Sequence, residues 1–173
     1  MTQAVPGKRA GRVLLIIAWG AGLFLATRFF AGWEARQANP NMAVDSVHGD
    51  GYIEVRLAGN GQGHFVSSGQ INGQAVQFML DTGATDVAVP QRLAAELQLE
   101  QGAPVTVSTA NGRTQGYRTR LERVQLGDIQ LRDVRALVVP GLDGEQVLLG
   151  MSALKKLEFT QRGGSLLLRQ TTK

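Results

Sequence analysis

Val76-Gln77-Phe78-Met79-Leu80-Asp81-Thr82-Gly83-Ala84-Thr85-Asp86-Val87-Ala88-Val89-Pro90 is the stretch on which the reading of this chain turns. Apolar residues run into an abrupt Asp-Thr-Gly and out again. The pattern therefore predicts a strand that delivers a carboxylate at its buried end. Asp is rarely buried unless it is hydrogen-bonded, bound to a metal or chemically employed. Thr82 adds a hydroxyl able to bond to backbone, and Gly83 permits a tight turn and close approach of backbone or substrate. Asp-Thr-Gly is also ordinary turn chemistry between two strands, so the turn alone leaves both readings open.

A second element lies about seventy residues downstream, where Val147-Leu148-Leu149-Gly150 precedes Met151-Ser152-Ala153-Leu154-Lys155-Lys156-Leu157. Together with Met79-Leu80-Asp81-Thr82-Gly83-Ala84-Thr85, this resembles the single-domain, retropepsin-like aspartic proteases. The bacterial, membrane-anchored branch is the most similar. The resemblance runs from about Gly63 to Arg169 and includes Asn72-Gly73, Ser108-Thr109-Ala110-Asn111-Gly112 and Leu148-Leu149-Gly150-Met151-Ser152. It implies that Asp81 is catalytic, that Thr82, Gly83, Ala84 and Thr85 form its supporting loop, and that Leu148, Leu149 and Gly150 face that loop. It also implies a flap, a mobile hairpin closing over bound peptide, in the region of Asn111, Gly112 and Gly116. One departure is that Met151-Ser152 follows Gly150, where an Arg and a polar partner are typical; retroviral dimer contacts are therefore not carried over.

Composition narrows the alternatives. The net charge of +4 suggests a polyanion partner until it is located: Lys8, Arg9, Arg12 and Arg28 precede every one of the 14 acidic residues, and residues 34–173 are neutral as a whole. A nucleic-acid partner is accordingly not expected. Cysteine is absent, which excludes disulfides, a thiol nucleophile and thiolate metal ligands. His48 and His64 stand in polar surroundings, and no group of His and carboxylates has metal-ligand spacing, so neither metal nor cofactor is expected.

Residues 1–12 are polar and basic. Residues 13–33 form an apolar zone that, as a helix, would span about 30 Å and match a bilayer core. Arg28, near its outer end, would snorkel to the interface beside Trp33. A cleaved signal peptide is the competing reading, but no small-x-small cleavage site stands out. The expectation is an uncleaved, single-pass signal anchor in the bacterial inner membrane, with the basic N-terminus cytoplasmic and the C-terminal domain periplasmic. Residues 34–50 lack an apolar period and read as a linker.

The domain, residues 51–173, opens with period-two alternation at Ile53, Val55 and Leu57. A strand through His64-Phe65-Val66 and the hairpin signal Asn72-Gly73 lead into the strand bearing Asp81. Pro90 opens a short helix with Leu93, Ala94 and Leu97 at helical spacing. A parity change between Leu121 and Val124 suggests a bulge. Short strands follow at 129–131, 134–139, 157–161 and 165–169, the last two joined by Gly163-Gly164. The sum is a mostly β fold, a small closed barrel with one or two short helices.

Peptide hydrolysis by carboxylates requires one acid as base toward water and a second, protonated, as donor to the scissile carbonyl. Only one Asp-Thr-Gly is present and no internal repeat is visible. The expectation is a homodimer in which each chain contributes Asp81, acting on a peptide or protein substrate. Two other classes remain open on sequence alone: a non-catalytic, dimeric peptide-binding module of the same fold, and a structural domain presenting a dimer surface.

Overall fold

A computed structural model describes residues 8–109, 112–142 and 144–172 and divides into two units, one ending at Gln37 and one beginning at Ala38. The first is helix α1 (Lys8–Ala38), whose 31 residues give a length of about 46 Å. Trp19, Phe24, Leu25, Phe29 and Trp33 all stand exposed along it. A helix apolar on every side belongs in a protein core or a bilayer. The stretch Ala10–Ala38 is long and apolar enough to cross a membrane. The Thr27 hydroxyl donates to Phe24 O at 2.8 Å, so the span carries no orphaned hydroxyl.

The second unit is mostly β. It comprises β1 (Ser46–Gly49), β2 (Tyr52–Ala58), β3 (Phe65–Ile71), β4 (Gln74–Leu80), β5 (Val87–Pro90), α2 (Gln91–Glu96), β6 (Pro104–Thr109), β7 (Gly112–Leu126), β8 (Ile129–Val139), β9 (Gln146–Leu149), α3 (Met151–Leu154), β10 (Glu158–Arg162) and β11 (Ser165–Thr171). Among the described residues these strands form a four-stranded sheet in the order β1-β2-β11-β10 and a seven-stranded sheet in the order β3-β4-β9-β5-β8-β7-β6. The larger sheet curls until β3 also pairs with β7, at Gln70↔Gln125 and Ile71↔Val124. Between the sheets lies one core: Val55, Leu57 and Leu168 from the smaller, Phe78, Val87, Leu121 and Val147 from the larger, all fully buried. Each such side chain contributes roughly 1.5–3 kcal/mol by leaving water.

The turn signals act where the sequence places them. Asn72 and Gly73, at φ 51° and 85°, make the two-residue turn between β3 and β4, and Gly163 and Gly164, at 56° and 76°, make the one between β10 and β11. Both pairs suit the right-handed twist of a hairpin.

Four expectations meet the structure, and three of them change. The stretch 34–50 is not a free linker. The helix continues to Ala38, and Asn39 and Asn41 are buried in the folded unit. Asn41 donates from Nδ2 to Ala58 O (2.9 Å) and Val66 O (2.7 Å) and accepts from Ala58 N (2.8 Å), joining β2 to β3. Its own N–H is taken by Asn39 Oδ1 at 3.0 Å. A polar, aperiodic segment is thereby held by hydrogen bonds, with Val44 packed against the core. Second, the parity change in β7 is not a one-sided bulge. Leu121↔Val134 and Arg123↔Arg132 keep one register, and both strands turn over together at Glu122 and Asp133, the latter at φ 51°. For the same reason residues 129–131 and 134–139 belong to one strand. Third, the mostly β, retropepsin-like fold is as expected, with the larger sheet curled until β3 meets β7 and the smaller sheet packed with it around the core. Fourth, Gly116 is neither hinge nor tip of a flap. It lies within β7 opposite Val105, buried, where a Cβ would sit 2.7 Å from Val138 O. Its role is close packing of β7 on β8. Gly112 pairs with Thr109 at the end of that hairpin, and Asn111 lies outside the described residues.

Candidate active site

Strand β9 organises the site. It runs parallel to β4, pairing Met79↔Leu148 and Leu80↔Leu149, and its Leu148 also faces Ala88 of antiparallel β5. The two strands that enter and leave the Asp81 turn are thus held apart by the apolar segment found seventy residues downstream. Val147 and Leu149 are buried, while Leu148 is half-buried. This alternation fixes which face of β9 meets the core.

Asp81 follows directly on β4. Its N–H donates to Leu149 O at 3.3 Å, its carbonyl accepts from Ala84 N at 3.3 Å, and its Oδ1 accepts from Gly83 N at 2.8 Å. Asp81 is half-buried, whereas Thr82, Gly83 and Thr85 are exposed and Ala84 is intermediate. No other hydrogen bond reaches the carboxylate or the Thr82 hydroxyl among the described residues. The carboxylate is therefore oriented through one oxygen and free at the other. A Cβ on Gly83 would stand 3.1 Å from Asp81 Oδ1, so a side chain there would press on the acid.

The rest of the loop is fastened to α3. Met151 N donates to Ala84 O at 2.8 Å and Ser152 N to Thr85 O at 2.9 Å. The first amides of a helix lack partners within it, and here the loop's carbonyls supply them. Gly150 makes this approach feasible, since a Cβ would lie 2.3 Å from Asp86 O and 2.7 Å from Ala84 O. Ser152, buried, closes the arrangement: its hydroxyl accepts from Val87 N at 3.0 Å and donates to Arg135 O at 2.7 Å. One hydroxyl has capacity for both.

Thus Asp81, the loop Thr82–Thr85 and Leu148-Leu149-Gly150 come together in space. Gly116 does not join them. Sequence reasoning missed Asp86 and Arg135, whose Oδ1 and Nη2 lie 3.3 Å apart. No Arg follows Gly150, and β8 supplies a guanidinium to the loop instead. The signal was weak, because Arg135 alternates with apolar neighbours as any solvent-facing strand residue does. Two grooves, of about 680 and 450 Å³, indent the surface, and neither is lined by Asp81 or by Thr82 to Thr85. Among the described residues no group of His and carboxylates is arranged to hold a metal ion.

Comparison with known proteins agrees with this geometry. Residues 67–156 match the family model described as "gag-polyprotein putative aspartyl protease". A solved structure, a retropepsin-like aspartic protease from Rickettsia conorii, is similar with a TM-score of 0.60 and 28% identity, over 75% of this chain and 97% of that one. Among curated proteins, the uncharacterized protein in the cobV 5′ region of Sinorhizobium sp. is 34% identical over 70% of this chain and 54% of its own length. The uncharacterized protein RP867 of Rickettsia prowazekii is 31% identical over 61% of this chain and 46% of its own. The chain spans about half the length of the curated relatives it matches.

Proposed function

The chain belongs to the retropepsin-like aspartic protease family, and from that premise we propose that it is a membrane-anchored aspartic endopeptidase active as a homodimer. The observation that carries the proposal is the Asp81 carboxylate, oriented by Gly83 N–H, half-exposed, and unclaimed at its second oxygen among the described residues. One carboxylate can take a proton from water but cannot at the same moment donate one to the scissile carbonyl. Two Asp81 groups across a two-fold axis meet both needs. Like charges held close cannot both ionise, so the pair shares one proton. The ionised member draws a proton from the attacking water while the protonated member donates to the carbonyl oxygen, giving a tetrahedral gem-diol. Its collapse breaks the C–N bond, with a proton returned to the leaving nitrogen. Thr82, exposed and without a hydrogen bond among the described residues, would bond across the axis. Gly83 would let the substrate backbone pass close to the acids.

In this reading α1 anchors the chain. Its basic start, Lys8, Arg9 and Arg12, sets the N-terminus in the cytoplasm and the folded unit in the periplasm, with Arg28 and Trp33 at the outer interface. Confinement to one membrane raises the effective concentration of the two chains. The test is incubation of the full chain in detergent with a complex peptide mixture between pH 4 and 7, beside Asp81→Asn, with new termini read by mass spectrometry. Cuts made by the wild type alone support the proposal. Identical peptide lists, with a dimer established by sedimentation, would assign the cleft to peptide binding without hydrolysis.

A further inference from the structure

Strands β7 and β8 form one long ribbon whose charge is unevenly spread. Residues 34–173 are neutral in sum, yet Arg118, Arg120, Arg123, Arg132 and Arg135 all stand on this ribbon and all are exposed. Leu121, Val124, Leu131 and Val134 of the same strands are buried, so the guanidiniums leave from the face opposite the core. Strict alternation from Arg120 and from Arg135 would turn Arg123 and Arg132 inward. The joint turnover at Glu122 and Asp133 sends both outward instead, directly opposite one another.

Like charges directly opposite across a strand pair are destabilising, and the ribbon holds two such pairs. The first is compensated. Arg120 faces Arg135, but Asp133 binds Arg120, and Asp86 stands 3.3 Å from Arg135. The second, Arg123 and Arg132, forms no ion pair among the described residues. Lys156 adds to it, because its Nζ donates to Arg132 O at 2.6 Å and Asp133 O at 3.1 Å. Of the nearest acids in sequence, Asp133 is taken by Arg120, and Glu122 lines the groove shared with Arg118 and Arg120. A repelling pair held on the surface without a counter-ion of its own calls for an anion from outside.

The place of this cluster decides which anion. The chain enters the folded unit at Asn39, the residue after α1, and Asn39 Nδ2 donates to Ser68 Oγ at 3.1 Å. Four residues further along, about 13 Å at the rise of a strand, Asn72 N donates to Arg123 O at 2.9 Å and Arg123 N to Asn72 Oδ1 at 3.0 Å. Arg123 is thereby fixed a short way from the point where the chain leaves the apolar helix. Outside a bilayer's hydrocarbon lie roughly 5–8 Å of headgroups on each side, and a phosphate matches the guanidinium fork.

We infer that Arg123, Arg132 and Lys156 form a docking site for the phosphates of anionic lipid headgroups, which draws the outward face of the β7–β8 ribbon onto the membrane surface. The inference rests on the reading of α1 as a membrane anchor and is independent of peptide hydrolysis.

The chain's lack of cysteine makes the docked face directly testable. Gln130→Cys places a thiol two residues before Arg132 on the same exposed face. The full chain would be set in nanodiscs of phosphatidylcholine, alone or mixed with phosphatidylglycerol, and the thiol modified with a water-soluble maleimide. Modification should be at least about fivefold slower in the anionic discs at low salt, the effect of a single cation near an anionic surface. In 1 M salt, where the screening length is about 3 Å, the two rates should agree within roughly twofold. Arg56→Cys, exposed on β2 between buried Val55 and Leu57, should react equally in both discs. Adding Arg123→Gln and Arg132→Gln should abolish the protection of Gln130→Cys, whereas Arg123→Lys and Arg132→Lys should keep most of it. Removing a repelling pair should not lower the denaturation midpoint, so lost protection is separable from misfolding.

Equal rates in the two discs, protection that survives both Gln substitutions, or equal slowing at Arg56→Cys overturns the docking site. Protection by inorganic phosphate or polyglutamate in phosphatidylcholine discs, with none from phosphatidylglycerol, overturns it in favour of a soluble anion or an acidic polypeptide. A chain that washes out of the discs at high pH removes the anchor reading and the inference with it; a chain that stays in the discs unprotected removes the docking site alone.

Discussion

Two short polar segments pass through apolar surroundings in this molecule, Asn39-Pro40-Asn41 and Asp81-Thr82-Gly83, and they end in opposite conditions. Asn41 is 6% exposed, and its side chain joins Ala58 and Val66 through three hydrogen bonds. Asp81 is half-buried, and its carboxylate receives one amide, from Gly83. The first is a polar residue consumed by structure. The second keeps hydrogen-bonding capacity in reserve on an exposed loop. What separates the two groups is unspent hydrogen-bonding valence, more than residue type, and the proposed chemistry of Asp81 rests on it.

The sharpest way to break this contrast is to neutralise Asp81. Asp81→Asn keeps the size of the side chain and its bond to Gly83 N, so the denaturation midpoint should stay near wild type while peptide cleavage falls by roughly 10²–10⁴-fold; retained cleavage would remove Asp81 from the mechanism. Asn41→Ala should behave in the reverse sense. It removes the partner of the buried Val66 carbonyl and of the part-buried Ala58 N–H and carbonyl, for a loss of about 1–3 kcal/mol in stability by chemical denaturation. Its effect on cleavage should follow the folded fraction alone.

Ser152→Ala tests a residue between these extremes, because its hydroxyl is fully used yet holds the loop that carries Asp81. Leaving Val87 N–H buried without an acceptor should cost about 1–3 kcal/mol. Cleavage per folded molecule should also fall, with the decrease in kcat rather than KM, since the substrate-facing residues remain.

The smallest effect is expected at Asp133, far from either segment in sequence. The guanidinium of Arg120 holds its carboxyl below the usual Asp range, chiefly by direct hydrogen bonding. A carboxyl whose folded pKa is depressed contributes stability above its unfolded value and loses it as pH falls through the folded one. The contribution should therefore be present above about pH 4 and fade below it. Asn tolerates the positive φ of this position, so Asp133→Asn should flatten the acid limb of the stability profile slightly and leave neutral-pH cleavage unchanged.

Much of the fold was readable because its signals are local. Ile53, Val55 and Leu57 alternate, Asn72-Gly73 and Gly163-Gly164 turn, and the Asp81 strand and Leu148-Leu149-Gly150 keep family spacing. What escaped was non-local. Asn41 carries no periodicity, and only the distant Ala58 and Val66 reveal what it does. Arg135 reads as an ordinary outward residue until β8 is laid beside β5, which brings it to Asp86. Gly116 suggested a mobile tip, because a glycine required by the carbonyl of Val138 looks the same in sequence as one required by flexibility. The coordinated turnover at Glu122 and Asp133 is invisible from either strand alone.

The central claim is that two chains each supply Asp81 to a single site, and a mixed dimer tests it most directly. Wild-type and Asp81→Asn chains bearing different affinity tags would be co-expressed, and the dimer carrying both tags purified and assayed. A shared site predicts that it cleaves no better than the dimer of two variant chains, because one acid cannot serve as base and donor together. Retention of about half the wild-type activity would mean that each chain works alone, and would contradict the paired mechanism.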